Sequence, residues 1–285
     1  MYITSITSLQ NERIKNLMNL SEKSKFRRRT GLFVIEGYRE VLHCIEAGFK
    51  IDSIFFNAAI VDDAQLKDIE EKTSASGKGS GNSATRFYSL GKEVYAKVAY
   101  REGTEGIIAI VHERRLSLND IKLPYGKNKG RDENPLILVV ESVEKPGNLG
   151  ALLRTADACG IDAVLVCDPL TDLYNPNLIR ASLGGIFTQQ VVACTNEEAY
   201  QWLKKHGISI FTAQLQDSQW YYDTDFIQPS AIIMGNEATG LTDFWRKVSD
   251  SKIKIPMLGE LDSLNVSVSA AILCYEAVRQ RKSSK

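Results

Sequence analysis

Ile255-Pro256-Met257-Leu258-Gly259-Glu260-Leu261-Asp262-Ser263-Leu264-Asn265-Val266-Ser267-Val268-Ser269-Ala270-Ala271-Ile272 reads as the end of a short apolar strand, a polar loop, and a helix of small residues that opens on Asn265. Ser267, Ser269, Ala270 and Ala271 let such a helix come close to another backbone. An asparagine at a helix entry either caps it or reaches a ligand. Taken alone, the stretch equally fits an ordinary capped core helix. Two segments upstream decide between these readings.

The first is Glu141-Ser142-Val143-Glu144-Lys145-Pro146-Gly147-Asn148-Leu149-Gly150-Ala151-Leu152-Leu153-Arg154-Thr155-Ala156, and the second is Ile232-Ile233-Met234-Gly235-Asn236-Glu237-Ala238-Thr239-Gly240-Leu241. In this order the three segments resemble the three motifs of the SpoU (TrmH-like) family of RNA ribose 2′-O-methyltransferases, part of the SPOUT superfamily. The resemblance covers roughly residues 135–280. It implies an α/β domain whose C-terminal part is threaded through a loop as a deep trefoil knot, with S-adenosyl-L-methionine held in the knot. Knots are otherwise nearly absent from proteins, and composition does not point to one.

Periodicity independently predicts an α/β chain. Pro135–Val140 is a continuous apolar run of the kind covered on both faces. After it, strands at Ala163–Val166, Gln189–Val192, Ile208–Thr212, Ala231–Met234 and Lys252–Ile255 alternate with helices. The helices fall at 148–159, Asn175–Leu183, from Thr195 or Asn196 to His206, near Thr242–Val248, and at Asn265–Gln280. This is a parallel sheet with helices on both faces. It lacks the G-x-G-x-x-G turn of a dinucleotide-binding domain and any P-loop, which argues against an ordinary dehydrogenase.

Residues 1–115 read as a smaller α/β domain. A helical stripe at Ile14, Leu17, Met18 and Leu20 precedes strands Leu32–Ile35, Ile51–Phe56, Phe87-Tyr88 and Gly106–Val111. Gly37–Ala47 and Ala64–Glu71 read as helices, and Ser89 as the cap of a short one. The run Thr73–Ser83 has the Gly/Ser content of a flexible loop. Residues 116–134 read as a linker before a domain spanning 135–285.

Lys plus Arg equals Asp plus Glu at 35 each, so a nucleic-acid partner must be met by local rather than net charge. At 44% apolar and 25% charged residues, the chain belongs with globular proteins rather than disordered or fibrous ones. No apolar run is long enough for a membrane span and no secretory signal is visible, so the expectation is a cytoplasmic protein. Cys44, Cys159, Cys167, Cys194 and Cys274 form no C-x-x-C pair and read as buried thiols of a reducing compartment. His43, His112 and His206 have no ligand spacing, so no metal is expected.

Methyl transfer to a ribose hydroxyl requires in-line placement and help with a poorly acidic proton, not a metal or a covalent nucleophile. The resemblance assigns Asn148, Arg154, Glu237, Ser263 and Asn265 to the catalytic site. It assigns Met234, Gly235, Asn236, Gly240, Ile255, Met257, Leu264 and Asn265 to the cofactor. Arg154 stays protonated, which favours phosphate binding and alkoxide stabilisation, although family proposals also cast it as the base. Gly-Asn-Glu-Ala-Thr-Gly differs from the family's Gly-Ser-Glu-Gly-x-Gly, and Ala238 would resist a positive φ.

Lys25, Arg27, Arg28 and Arg29 form a basic cluster suited to RNA phosphates, or else a solvated face. The following Gly31-Leu32-Phe33-Val34-Ile35-Glu36-Gly37 resembles the start of the L30e-like substrate-binding domain of SpoU enzymes. The expected protein is a homodimer acting on structured RNA, foremost 23S-type ribosomal RNA. The alternatives are a tRNA 2′-O-methyltransferase and a non-catalytic RNA-binding or ribosome-assembly protein of the same fold.

Overall fold

The structure, a computed structural model, describes residues 2–76, 85–100, 105–124 and 134–283. Residues 77–83 of the Gly/Ser run and 125–133 of the expected linker lie outside them. The chain forms two compact units: residues up to Arg114 together with Tyr174–Ile179, and Arg115–Leu173 together with Arg180–Lys285.

In the first unit the elements run β1 (Ile3–Ile6), α1 (Glu12–Glu22), α2 (Ser24–Thr30), β2 (Leu32–Glu36), α3 (Tyr38–Glu46), β3 (Ile51–Phe56), α4 (Asp63–Ser76), β4 (Arg86–Leu90), α5 (Lys92–Val98) and β5 (Ile107–His112). They build a five-stranded sheet of order β1-β4-β3-β5-β2. Ile14, Leu17 and Leu20, the predicted stripe, bury against Phe55, Tyr88, Ile108 and Ile110. Tyr174, only 8% exposed, stacks on Phe33 at 4.2 Å between ring centroids and meets Phe49 edge-on at 6.4 Å.

Local chemistry corrects several expectations here. β1 was not foreseen because its alternation is shallow and only Ile6 is buried. The basic segment is helix α2, stopped by Gly31 at φ 63°, whose N–H reaches back to the Arg27 carbonyl. Thr73–Ser76 continue α4 instead of opening a loop. Ser89 lies inside β4, and α5 starts after Gly91 with no side-chain cap.

The second unit contains β6 (Leu136–Glu141), α6 (Pro146–Cys159), β7 (Ala163–Cys167), the end of α7 (Pro176–Ser182), α8 (Gly185–Thr188), β8 (Val191–Cys194), α9 (Asn196–Lys205), β9 (Ser209–Ala213), β10 (Gln219–Trp220), β11 (Ser230–Met234), α10 (Asp243–Val248), β12 (Ser251–Lys254) and α11 (Val266–Ser283). Its seven strands are all parallel, in the order β10-β12-β9-β11-β6-β7-β8. β6 is buried along its whole length, as the uninterrupted apolar run requires. Alternate residues Ile137, Val139, Ala163, Leu165, Ala231 and Ile233 pack with Trp202 and Leu203 of α9 and Trp245 of α10.

On the opposite face α6 packs with α8 and α11. Gly185 of α8 lies so close to the Leu153 carbonyl that a Cβ would sit 3.3 Å from its oxygen. The small-residue face of α11, with Ala270, Cys274 and Ala277 all buried, is thereby used inside the chain. Leu116, Leu118, Ile121 and Leu123 also pack on the core of this unit. The described start of the expected linker is therefore part of the second unit's packing.

Candidate active site

β12, β9, β11 and β6 lie side by side in the parallel sheet, and the segments that follow their C-terminal ends enclose a cavity of about 550 Å³, with Ala213–Gln216 lining it after β9. That volume is in the range of small-molecule sites, roughly 300–1,000 Å³. Met234, Gly235, Asn236, Glu237 and Gly240 line it from the loop after β11. Ile255, Met257, Ser263, Leu264 and Asn265 line it from the loop after β12, and Asn148 from α6. Open parallel sheets place ligands beyond these C-terminal strand ends because loops converge there while the strands hold them rigidly.

The loop after β11 owes its shape to two glycines. A Cβ on Gly235 would run into the backbone of Gly240 and Leu241. Asn236 and Gly240 exchange backbone hydrogen bonds of 3.1 and 2.9 Å, and Gly240 takes φ 69°. The Asn236 side chain accepts from the N–H groups of Ala238 and Thr239 and donates to the Ser142 carbonyl at 2.7 Å. Ala238 is not among the residues with positive φ, so its departure from the glycine of the family pattern causes no strain.

Beneath this loop lies a network that sequence reasoning missed. Glu141, 1% exposed, accepts from Asn196 Nδ2 at 2.6 Å and from the N–H and hydroxyl of Thr242 at 2.9 and 2.7 Å. Asn196 in turn accepts from the Trp245 indole. A buried carboxylate is tolerable only with such partners. This one ties β6 and α9 to the segment that closes the loop. Its only signal in the sequence is a charged residue ending an apolar strand.

A hydrogen-bonded chain of three side chains crosses the mouth of the cavity. Asn265 Nδ2 donates to Asn148 Oδ1 at 3.2 Å, and Asn148 Nδ2 donates to Glu237 Oε1 at 2.7 Å. The Asn265 oxygen accepts from the N–H of Ser267 at 2.9 Å and its hydroxyl at 2.6 Å. The asparagine thus caps α11 with one end of its amide and bonds Asn148 with the other. Partial burial pushes the Glu237 carboxyl upward. The Asn148 amide, backbone N–H groups of Glu237 and Glu144, and the Lys145 charge outweigh that and hold it below the ordinary glutamate value.

Arg154 is exposed on α6, is not among the residues lining the cavity, and its side chain makes no hydrogen bond or ion pair among the described residues. One expected phosphate contact needs correction. Arg27 is 4% exposed and donates to the carbonyls of Leu20 at 2.7 Å and Ser21 at 3.2 Å. It ties α1 to α2 rather than facing solvent. Lys25, Arg28 and Arg29 are exposed.

An all-parallel α/β domain with a cavity beyond its C-terminal strand ends, and Asn, Glu and Asn linked across the mouth, belongs to the small-molecule-binding class of α/β proteins, without the glycine fingerprint of a dinucleotide fold. The profile of the SpoU rRNA Methylase family matches residues 135–275, and that of an MRM3-like substrate binding domain matches residues 11–109. The chain is 29% identical over 271 residues to the 23S rRNA (guanosine(2553)-2′-O)-methyltransferase RlmP of Bacillus subtilis, covering 95% of this chain and 97% of that one. It is 31% identical over 232 residues to the 23S rRNA (guanosine-2′-O-)-methyltransferase RlmB of Ralstonia nicotianae, covering 81% and 88%. Among solved structures, an AdoMet-bound rRNA methyltransferase from Sinorhizobium meliloti superposes with a TM-score of 0.84 at 26% identity, covering 97% of this chain and 98% of that one. The chain belongs to the SpoU family and is an RNA ribose 2′-O-methyltransferase with S-adenosylmethionine as cofactor.

Proposed function

We propose that the protein methylates a ribose 2′-hydroxyl of 23S-type ribosomal RNA, with the cofactor in the cavity between the loops after β11 and β12. The observation that carries this reading is the Asn265–Asn148–Glu237 chain at the mouth of that cavity. Support for the RNA class comes from RlmP and RlmB, both named for 23S rRNA. The cradle also fits the cofactor: Gly235 lets the loop close back on Gly240 and Leu241, and Met234, Ile255 and Met257 offer apolar walls beside polar loop groups. When bound, S-adenosylmethionine supplies an electrophilic methyl group and a stable thioether leaving group.

The protein's own groups then have to place the hydroxyl and handle its proton. Glu237, held ionised, accepts a hydrogen bond and orients its neighbours. Asn148, fixed from both sides, presents a defined dipole at the mouth. Arg154 neutralises the phosphate beside the target ribose and the developing alkoxide, and Ser263 supplies a further hydroxyl at the rim.

Because Arg154 lies outside its own chain's cavity lining, the reading requires a homodimer in which a second copy completes the site. Leu258 (98% exposed) and Leu261 (75%) precede α11, and Val268 and Tyr275 stand seven residues apart on one exposed face of it. Such an apolar surface suits an isologous contact. Light scattering at micromolar concentration should give twice the chain mass; a monomer would sink this part of the reading. Lys25, Arg28 and Arg29 of the first unit, an L30e-like domain in this reading, hold the RNA backbone. Mapping 2′-O-methyl groups in ribosomal and transfer RNA from cells with and without the protein tests the substrate directly. A mark lost only from transfer RNA would transfer the assignment there.

A further inference from the structure

The cavity is lined by three cations, and two of them already have company. Lys145 lies beside Glu237 and helps keep it ionised. The Lys254 ammonium sits 4.6 Å from the centre of the Trp220 ring. The third, Arg246 on α10, is different. Its Nε is buried and has no hydrogen-bond partner among the described residues. The nearest carboxylate oxygen, on Asp243, is 4.0 Å from Nη1, beyond hydrogen-bond reach. A Cβ on Gly240 would come within 3.9 Å of Nη2, so the guanidinium lies against the floor of the loop after β11.

An Nε–H withdrawn from water without an acceptor is unfavourable even where the rest of the guanidinium is half-buried and open to the cavity, and a planar fork of donors is matched best by a carboxylate or a phosphate. The cofactor carries a single carboxylate, at the amino-acid end. We propose that Arg246 receives the α-carboxylate of S-adenosylmethionine and so anchors the methionyl end of the cofactor. This rests on the reading that the cavity is the cofactor site.

The test is calorimetric titration of the full chain with two product analogues. One is S-adenosylhomocysteine; the other is its decarboxylated form, which keeps the adenosine, the thioether and the amine. Arg246→Gln should weaken S-adenosylhomocysteine roughly tenfold or more, as expected for losing hydrogen bonds to a charged group, and leave the decarboxylated ligand within about twofold. Arg246→Lys, which keeps the charge without the fork, should fall between. Equal losses for both ligands would overturn the proposal and make Arg246 a wall of the pocket. Unchanged affinity for both would also overturn it, and a parallel fall in RNA affinity would reassign the side chain to a phosphate. If wild type bound neither ligand, the cofactor reading would fall and this inference with it. Wild-type binding of both keeps that reading standing whatever Arg246 does.

Discussion

Asn148 is the residue on which the site turns, because one amide serves two neighbours of opposite need. Its oxygen accepts from Asn265 and its nitrogen donates to Glu237. Asn148→Asp would still accept from Asn265, but it would lose the donor and set a second negative charge against Glu237. The carboxyl of Glu237 is now held below its ordinary value. Whatever its ionised form contributes is therefore fully present above the ordinary glutamate pKa and is lost only as pH falls through the lowered one. With Asn148→Asp, the acidic limb of the pH–rate profile should move upward and activity should drop further than with Asn148→Ala; an unmoved limb would show that Glu237 does not govern it. Arg154 makes the complementary case. It is exposed and unpaired among the described residues, so Arg154→Ala should leave folding and cofactor affinity close to wild type. Methyl transfer should fall by roughly a hundredfold or more, as when a preorganised charge contact to a transition state is removed. Arg154→Lys should rescue little, since a point charge does not reproduce the planar fork. Near-normal turnover of Arg154→Ala would place the catalytic centre elsewhere.

Among the elements, the loop after β11 has the most at stake. Gly235→Ala should push Gly240 and Leu241 aside, at about 1–3 kcal/mol for overpacking, and abolish cofactor binding in a calorimeter while far-ultraviolet dichroism stays native. Ala238→Gly should leave cofactor binding nearly unchanged, since Ala238 already avoids positive φ; a large gain would mean the loop is strained there after all. The contrast also marks what could be read from the chain. Long periodic pieces such as β6, α6 and α11 were legible because apolar spacing is set by burial of the same residues. Thr195 was legible as a cap because its hydroxyl and the Glu198 carboxylate satisfy each other's backbone N–H groups. β10 was not, because a two-residue edge strand carries no period. Nor was α2, where a charge-rich segment hides one turn-forming arginine that points inward. The Glu141–Asn196–Thr242 network brings together residues separated by 55 and 101 positions, and no local pattern announces such a meeting.

At the scale of the whole molecule, the two units should fail separately. Neutralising Lys25, Arg28 and Arg29 together should lower RNA affinity and flatten its dependence on salt, because each phosphate contact releases counterions. Thermal stability should barely move, as all three side chains are exposed. Arg27→Ala should do the reverse, loosening the packing of α1 on α2 by about 1–3 kcal/mol through unmet carbonyls and lost packing. If the triple substitution leaves both affinity and salt slope unchanged, the cluster is only a solvated face. A different consequence follows from Tyr174–Ile179, the short stretch that belongs to the first unit although β6, α6 and β7 precede it. The aromatic cluster of Phe33, Phe49 and Tyr174 cannot close until the ribosome has polymerised well past β7. The amino-terminal part is therefore not finished when its own residues have emerged. During synthesis it waits, with Phe33 and Phe49 lacking the third ring of their cluster, until two strands and a helix of the other unit have been made.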